Sequence, residues 1–196
     1  MDLTIARRTA ERLLATACSG LWAHCQGAAR RAELLRPVLA DHTDLVAAAA
    51  LLHDIGHSPE LVQTGFHPMD GATYLRDLGA DPLTARLVAH HSHAVFQARV
   101  HGLDQRLLAE FAPPPATLAA ALTWCDMTSD AEGQPTTLDR RLVALQERHR
   151  DDPLWLKGHT ARVPALHAST SYIDASLAAE RRYEQRFASV ASVART

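Results

Sequence analysis

The stretch DLVAAAALLHDIGH, residues 44–57, is the most apolar run of the chain and ends in polar residues. Its alanines and leucines predict a helix over residues 44–54, and Gly56 predicts where that helix stops. An imidazole and a carboxylate, His53 and Asp54, close the helix. Polar groups at such a place are costly unless they are paired or bound to a cation. His53 and Asp54 are therefore candidate functional residues.

The composition of the whole chain is that of one globular domain. Its 196 residues are 47% hydrophobic and 21% charged, which argues against disorder. The net charge of −2 argues against a nucleic-acid polymer as partner. We find no signal peptide and no apolar run of membrane-spanning length, and the three cysteines show no metal-binding spacing. These observations predict a cytoplasmic protein that does not act in a membrane.

Strand signals are almost absent, so we predict an all-α fold made of one helical bundle. Breakers and caps divide the chain into predicted helices at about 4–22, 24–36, 44–54, 67–78, 82–91, 117–127, 138–148 and 171–190. Residues 150–168 carry several breakers, and we assign no element to them. We expect an N-terminal helix in residues 1–20, a core in residues 21–130, and a helical extension in residues 131–196 packed on the same domain. The extension would be a lid or a homodimer contact.

Histidine is the one residue type in excess, with 12 in the chain. The predicted helices place a His or Asp on otherwise apolar faces, as Asp126 follows Leu118 and Leu122 at helical spacing. A single inward His is usually a satisfied core residue, and a single Asp at a helix end is often a cap. Several buried ionisable groups in one small core need a common partner, and a divalent cation satisfies all of them. The pattern therefore favours a metal site.

The string ALLHDIGH (50–57), with His24 upstream and Asp126 downstream, resembles the HD-domain superfamily of metal-dependent phosphohydrolases. Two further segments, HPMDGATYLRDLG (67–79) and LVAHHS (87–92), resemble segments of its HDIG-type members. The resemblance covers about residues 20–130 and implies a helical bundle of the HD-domain type around a mono- or binuclear metal site. No GYP segment follows HHS, which weakens any likeness to the cyclic-dinucleotide phosphodiesterases that carry it.

The resemblance also implies a set of metal ligands. The first metal would be bound by four residues: His24, His53, Asp54 and Asp126. Asp54 would bridge to a second metal, whose other ligands would be His67 and His91, with His90 as the alternative to His91. Nitrogen and oxygen ligands without thiolate favour iron or manganese, while zinc and magnesium stay open.

His57 occupies the position where many relatives carry Lys or Glu. It is either a proton donor in catalysis or a helix-end histidine that interacts with the helix dipole, and His93 is a second candidate donor. An Arg should hold the phosphate, with Arg31, Arg86 and Arg99 as unranked candidates. Two-metal chemistry of this kind hydrolyses a phosphate ester by attack of a metal-bound hydroxide, with Asp54 between the metals.

The expected substrate is a small phosphorylated molecule, in particular a nucleotide or related phosphoester. Two alternatives stay open. One is a regulatory domain that binds metal with little or no turnover. The other is an oxygenase with an iron pair on the same ligands, and phosphate release would tell it from a hydrolase.

Overall fold

The computed structural model describes residues 2–193, with side chains as far as residue 186. Within that range the chain forms eleven α-helices and three short 3-10 helices, and no β-strand. The α-helices are α1 (Leu3–Leu14), α2 (Ser19–Glu33), α3 (Arg36–Leu39), α4 (Thr43–Leu52), α5 (His67–Asp77), α6 (Pro82–His90), α7 (Val95–Val100), α8 (Asp104–Glu110), α9 (Ala116–Met127), α10 (Leu138–Arg148) and α11 (Pro153–Val193). The 3-10 helices are Ala40–His42, Ile55–His57 and His91–His93. The predicted all-α class is confirmed.

Helix α4 is the centre of the bundle. Every residue from Val46 to Leu52 is buried, and α1, α2, α6 and α9 all pack against this helix. Its four consecutive alanines keep the helix narrow, so neighbouring helices approach it closely on all sides. The helix ends at Leu52, slightly before the predicted end, because Ile55–His57 forms a separate 3-10 turn.

Several helix ends follow the cap signals in the sequence. Helix α5 is followed by Gly79, whose φ of 75° only glycine adopts at low cost. Helix α6 begins with Pro82, and the Asp81 side chain accepts a hydrogen bond from the Leu83 amide at 2.9 Å. The Thr137 hydroxyl caps α10 by accepting from the Arg140 amide at 3.4 Å. Local side-chain chemistry therefore sets these boundaries.

The N-terminal prediction was wrong in one respect. A continuous helix over about 4–22 was expected, but α1 stops at Leu14 and α2 starts at Ser19. The chain turns between them, and Cys18 leaves the helical region with a φ of −143°. The turn lets both helices pack against α4, which one straight helix could not do.

No element is assigned to residues 150–168 from the sequence, and in the structure most of them belong to α11, which runs unbroken from Pro153 to Val193. Pro164 lies inside it, where it removes the hydrogen bond to the Thr160 carbonyl. Both of these residues are exposed, so water can replace that bond. Gly158 is packed against Gln97 of α7, where a Cβ atom would stand 2.4 Å from the Gln97 side-chain oxygen. Tertiary packing thus overrides both breakers.

Helix α11 lies along α7 and α9. The Trp124 indole donates to Asp174 Oδ1 at 2.8 Å, and Ile173 and Leu177 are buried on the same side of the helix. This attachment brings the first turns of α11 close to the centre of the bundle. Long as it is, α11 is not apolar enough to cross a membrane, and neither is any other helix within residues 2–193.

Candidate metal centre

Four predicted ligands from three separate parts of the chain meet beside the end of α4. His24 projects from α2, and its Nε2 lies 3.0 Å from Asp126 Oδ1 of α9. His53 Nε2 lies 3.5 Å from Asp54 Oδ2 and 3.8 Å from Asp126 Oδ1. All four side chains are buried. Their nitrogen and oxygen atoms therefore surround one small volume, which we call site A (His24, His53, Asp54 and Asp126).

The other carboxylate oxygen of Asp54 faces a second group of imidazoles. Asp54 Oδ1 lies 3.4 Å from His67 Nε2 and 3.8 Å from His91 Nε2, and these two nitrogens are 3.3 Å apart. The ring of His57 stacks on His67 with centroids 3.8 Å apart, and its exposed side chain lies at the outer edge. We call this group site B (Asp54, His67 and His91, with His57 at its edge). Asp54 belongs to both sites.

Two pairs of glycines bring these side chains together. Gly56 lies against α5, where a Cβ atom would stand 2.0 Å from the His67 carbonyl oxygen and 2.7 Å from the Gly71 nitrogen. Gly27 of α2 lies against Gly133, so that a Cβ on Gly27 would stand 2.4 Å from the Gly133 Cα. The first contact holds His67 beside Asp54. The second holds the loop after α9 against α2, next to His24.

Three of the imidazoles have their Nδ1 atoms tied to backbone carbonyls. His24 Nδ1 donates to Asp130 O at 2.9 Å, His53 Nδ1 to Ala50 O at 2.8 Å, and His91 Nδ1 to Val88 O at 2.7 Å. A proton on Nδ1 leaves Nε2 free to carry a lone pair, which is the form that binds metals. The backbone therefore fixes both the tautomer and the direction of each ring.

The electrostatics keep most of these groups in the protonation state of a metal ligand. Burial raises the pKa of Asp54, but the His53 and His67 rings outweigh burial and bring the pKa well below its ordinary value. Burial holds the pKa of His67 far below its ordinary value and lowers the pKa of His91 to about 4. The carboxylate is therefore ionised and these two rings are neutral at pH 7.

His24 is the exception. Burial lowers its pKa, but the hydrogen bond to Asp126 outweighs burial and leaves the pKa above its ordinary value. The pKa of Asp126 shows the reverse balance: burial raises it, and the same hydrogen bond brings it well below its ordinary value. In the absence of a cation, the hydrogen bond between these two buried groups therefore favours the protonated form of His24 and the ionised form of Asp126.

The residues fit divalent cations. Ligand atoms of His24, His53 and Asp54 lie within 4.8 Å of one another, and so do those of Asp54, His57 and His67. Lone pairs that converge from several buried groups repel one another unless a proton or a cation lies between them. Cys25 contacts His53 at Nδ1, 3.8 Å away, on the ring edge that faces away from the carboxylates. The donor set is therefore imidazole nitrogen and carboxylate oxygen without thiolate.

Two predicted site residues lie elsewhere. His90 Nε2 donates to Phe111 O at 2.7 Å, so between the two neighbouring histidines the geometry favours His91 as the ligand. His93 Nε2 lies 2.9 Å from the Ser169 hydroxyl on α11, and its ring packs near Phe96. The chain turns sharply between His91 and His93, with a left-handed Ser92, and this turn points the two rings in different directions.

The three arginines considered for phosphate binding also have other partners. Arg31 donates to the Thr128 hydroxyl at 3.0 Å and covers the Trp124 ring, while Arg86 donates to the Ala112 carbonyl. Arg99 lies 3.6 Å from Asp104 at the surface. None of them contacts site A or site B.

Two other arginines, which sequence reasoning missed, reach the site. Arg141 Nη2 lies 3.2 Å from His24 Nε2 and 3.8 Å from Asp126 Oδ1. Arg162 Nη1 donates to the Ser92 carbonyl at 3.2 Å, and the Ser92 hydroxyl in turn donates to Asp126 Oδ2. Arg140 and Arg141 are adjacent in α10, yet Arg140 is exposed and Arg141 is buried.

A cleft of about 440 Å³ opens beside His24 and Arg141. It is bordered by the start of α2 and the outer part of α10, and none of its lining residues is acidic. The lining residues are Ala17, Cys18, Ser19, Gly20, Leu21, His24, Ala131, Arg141 and Arg148. The cleft therefore gives a small anionic molecule a route to site A.

Comparison with known proteins agrees with this geometry. The family model of the HD domain matches residues 21–149, well over half of the chain. A search of curated proteins and a search of solved structures found no match. The matched range contains every residue of sites A and B and also Arg141, whereas α11 lies beyond it. The chain therefore belongs to the HD-domain family, whose members are generally metal-dependent hydrolases.

Proposed function

We propose that this protein is a metal-dependent phosphohydrolase that cleaves a small phosphate ester, a nucleotide or a related molecule. The observation that carries this proposal is the position of Asp54, whose Oδ2 faces His53 while its Oδ1 faces His67 and His91. A carboxylate whose two oxygens face two separate groups of imidazoles can bridge two cations, which suits a two-metal hydrolytic site.

Iron or manganese is the proposed occupant, because an imidazole-rich set without thiolate suits these metals better than magnesium. When bound, two such cations lower the pKa of a water molecule and neutralise charge on the phosphoryl oxygens. His24, His53 and Asp126 would hold one cation, His67 and His91 the other, and Asp54 both.

His57 is the proposed proton donor to the leaving oxygen. It is exposed, so it can exchange protons with solvent, and its ring is held in place by stacking on His67. An imidazole donates a proton readily near neutral pH, which suits general acid catalysis. His93 does not enter this proposal, because its ring contacts α11 instead.

The cleft beside His24 is the proposed place of the leaving group. Its volume of about 440 Å³ falls within the range of small-molecule pockets. Arg148 lies at its border and favours an anionic or polar substrate. These features suit a nucleotide better than a polymer.

A metal-replete activity screen tests the proposal. The purified protein, loaded with Mn²⁺ or Fe²⁺, is offered nucleoside mono-, di- and triphosphates, dinucleoside polyphosphates and cyclic dinucleotides, and the products are quantified. We expect hydrolysis of at least one class that Asp54→Asn abolishes. Metal binding without any hydrolysis would indicate the regulatory alternative. Dioxygen consumption without phosphate release would indicate the oxygenase alternative, and either result would overturn the proposal.

A further inference from the structure

Two guanidinium groups reach site A from the C-terminal part of the chain. Arg141 comes from α10 and lies 3.8 Å from Asp126 Oδ1. Arg162 comes from α11 and contacts the carbonyl of Ser92, whose hydroxyl donates to the same carboxylate. Both positive charges are therefore close enough to interact with the Asp126 carboxylate.

Each guanidinium has a buried N–H without an acceptor. Nε of Arg141 and Nε of Arg162 are both buried, and neither has a hydrogen-bond partner among the residues whose side chains the structure describes. A buried polar group without a hydrogen-bond partner destabilises the folded protein. Two unpaired N–H groups of this kind, one on each arginine, indicate that both donate to an acceptor that is not part of the chain.

His159 supports this arrangement from α11. Arg162 Nη2 lies 3.3 Å from His159 Nδ1, and the His159 ring stacks on Trp155 with centroids 4.5 Å apart. Burial lowers the pKa of His159 to about 4, so its ring is neutral and Nδ1 can accept from the guanidinium. His159 is therefore a positioning residue that fixes the direction of Arg162.

The charges of the site also call for an anion. Burial lowers the pKa of Arg162, and the positive charge of Arg141 lowers it further, whereas the Asp126 carboxylate raises it. The two guanidinium groups therefore lie close enough to repel each other. Cations bound by Asp54 and Asp126 would neutralise the negative charge of these carboxylates, which otherwise faces Arg141 and Arg162. The guanidiniums would then need another counter-charge, and a multivalent anion supplies it most directly.

We propose that Arg141 and Arg162 together hold the phosphoryl oxygens of a dianionic phosphate monoester, which makes this site selective for monoesters over diesters. A monoester presents three non-bridging oxygens and close to two negative charges at neutral pH, whereas a diester presents two oxygens and one charge. Guanidinium groups match such oxygens in charge and in geometry. This inference rests on the proposed phosphohydrolase function and narrows its substrate class.

The first test measures binding of inorganic phosphate to the metal-loaded full-length protein by calorimetry, with no turnover involved. We expect Arg141→Gln and Arg162→Gln each to weaken phosphate binding by about 10-fold or more. The matched control is Arg140→Gln, the exposed neighbour on α10, which should bind phosphate like the parent protein. Metal content and circular dichroism are measured on every variant, and Arg141→Lys and Arg162→Lys replace any glutamine variant that does not fold.

The second test compares kcat/KM for p-nitrophenyl phosphate and bis(p-nitrophenyl) phosphate. The parent protein should favour the monoester, and the Arg141 and Arg162 variants should lose at least about 10-fold of that preference. Unchanged phosphate binding in variants that retain their metal would overturn the inference and leave the hydrolase proposal intact. Arginine-dependent phosphate binding without hydrolysis of any ester would overturn the hydrolase proposal and leave the anion site.

Discussion

Gly56 and Gly71 pack so closely that a Cβ atom on Gly56 would stand 2.7 Å from the Gly71 nitrogen. The contact joins the 3-10 turn after Asp54 to the helix that begins with His67. The distance between Asp54 and His67 is therefore set by the close packing of two backbone segments, which leaves no room for a side chain at Gly56.

Gly56→Ala should destabilise the protein and weaken site B. The added methyl would stand 2.0 Å from the His67 carbonyl oxygen, so α5 must shift, at a cost of about 1–3 kcal/mol or more. Chemical denaturation gives the change in unfolding free energy, and elemental analysis gives the metal content. Gly20→Ala is the control, because nothing lies within 4 Å of its Cβ position and the helix should tolerate it. Equal stability of the two variants would contradict this reading of the packing.

Asp54→Asn should remove both cations. The substitution keeps the shape of the side chain but removes the charge that faces both sites, so neither set of imidazoles retains an anionic bridge. Metal content by elemental analysis should fall close to zero. Asp44→Asn, an exposed aspartate in the first turn of the same helix, should keep the full content. A normal metal content in Asp54→Asn would rule out Asp54 as the bridge.

His91→Ala and His90→Ala should behave differently although the residues are adjacent. His91 faces Asp54, so its removal should lower the metal content by one ion per chain. His90 contacts the Phe111 carbonyl, so its removal should cost some stability and leave the metal content unchanged. The same measurement on His67→Ala should match His91→Ala. Loss of metal in His90→Ala alone would reverse the assignment.

His57→Gln should keep both cations and lose turnover. If His57 donates the proton to the leaving group, kcat should fall by about 10²–10⁴-fold. His93→Gln should retain activity much closer to that of the parent protein, because its ring contacts Ser169 rather than the two sites. A substrate with a better leaving group should recover much of the lost rate in His57→Gln. If metal content falls by one ion, His57 is a ligand of site B and not a proton donor.

Acidification should release the cation of site A before that of site B. The pKa of His24 lies above its ordinary value of 6.5, so a proton competes for this ligand already in mildly acidic solution. The pKa of His91 is about 4 and that of His67 is also far below 6.5, so site B meets proton competition only at lower pH. Metal content is measured from about pH 8 down to about pH 3, so that the range includes the His91 pKa of about 4.

On acidification the parent protein should lose its two cations in two steps. The variant His67→Ala should hold only the cation of site A, so it shows which step belongs to which site. Its metal loss should coincide with the first step of the parent protein. Coincidence with the second step would show that site B is the more acid-sensitive one.

Some of the candidate ligands carry a local signal in the sequence, whereas the full set is what the resemblance to the HD-domain family implies. His53 and Asp54 end a helix with no other polar residue near its end, and Asp126 stands at helical spacing from Leu118 and Leu122. Such groups must find a partner in the core, whatever the details of packing. The choice between His90 and His91 could not be made, because it depends on the turn at Ser92, which has no signature in the sequence.

The arginines of the site could not be predicted, because their surroundings are decided by tertiary packing. Arg140 and Arg141 are neighbours with the same local charge pattern, yet one is exposed and the other is buried beside His24. Arg162 lies between Gly158 and Pro164, in a stretch to which the sequence alone assigns no element. Only the packing of α11 along α7 and α9 keeps it helical and turns Arg162 towards the centre.

All residues of sites A and B lie between His24 and Asp126, whereas Arg141 and Arg162 follow in α10 and α11. Synthesis from the N-terminus therefore completes the candidate metal centre before these two arginines leave the ribosome. Under the proposed roles, the residues that would bind the metals precede in the polypeptide those that would bind the phosphate. The order of residues along the chain would then separate what the protein recognises from how it reacts.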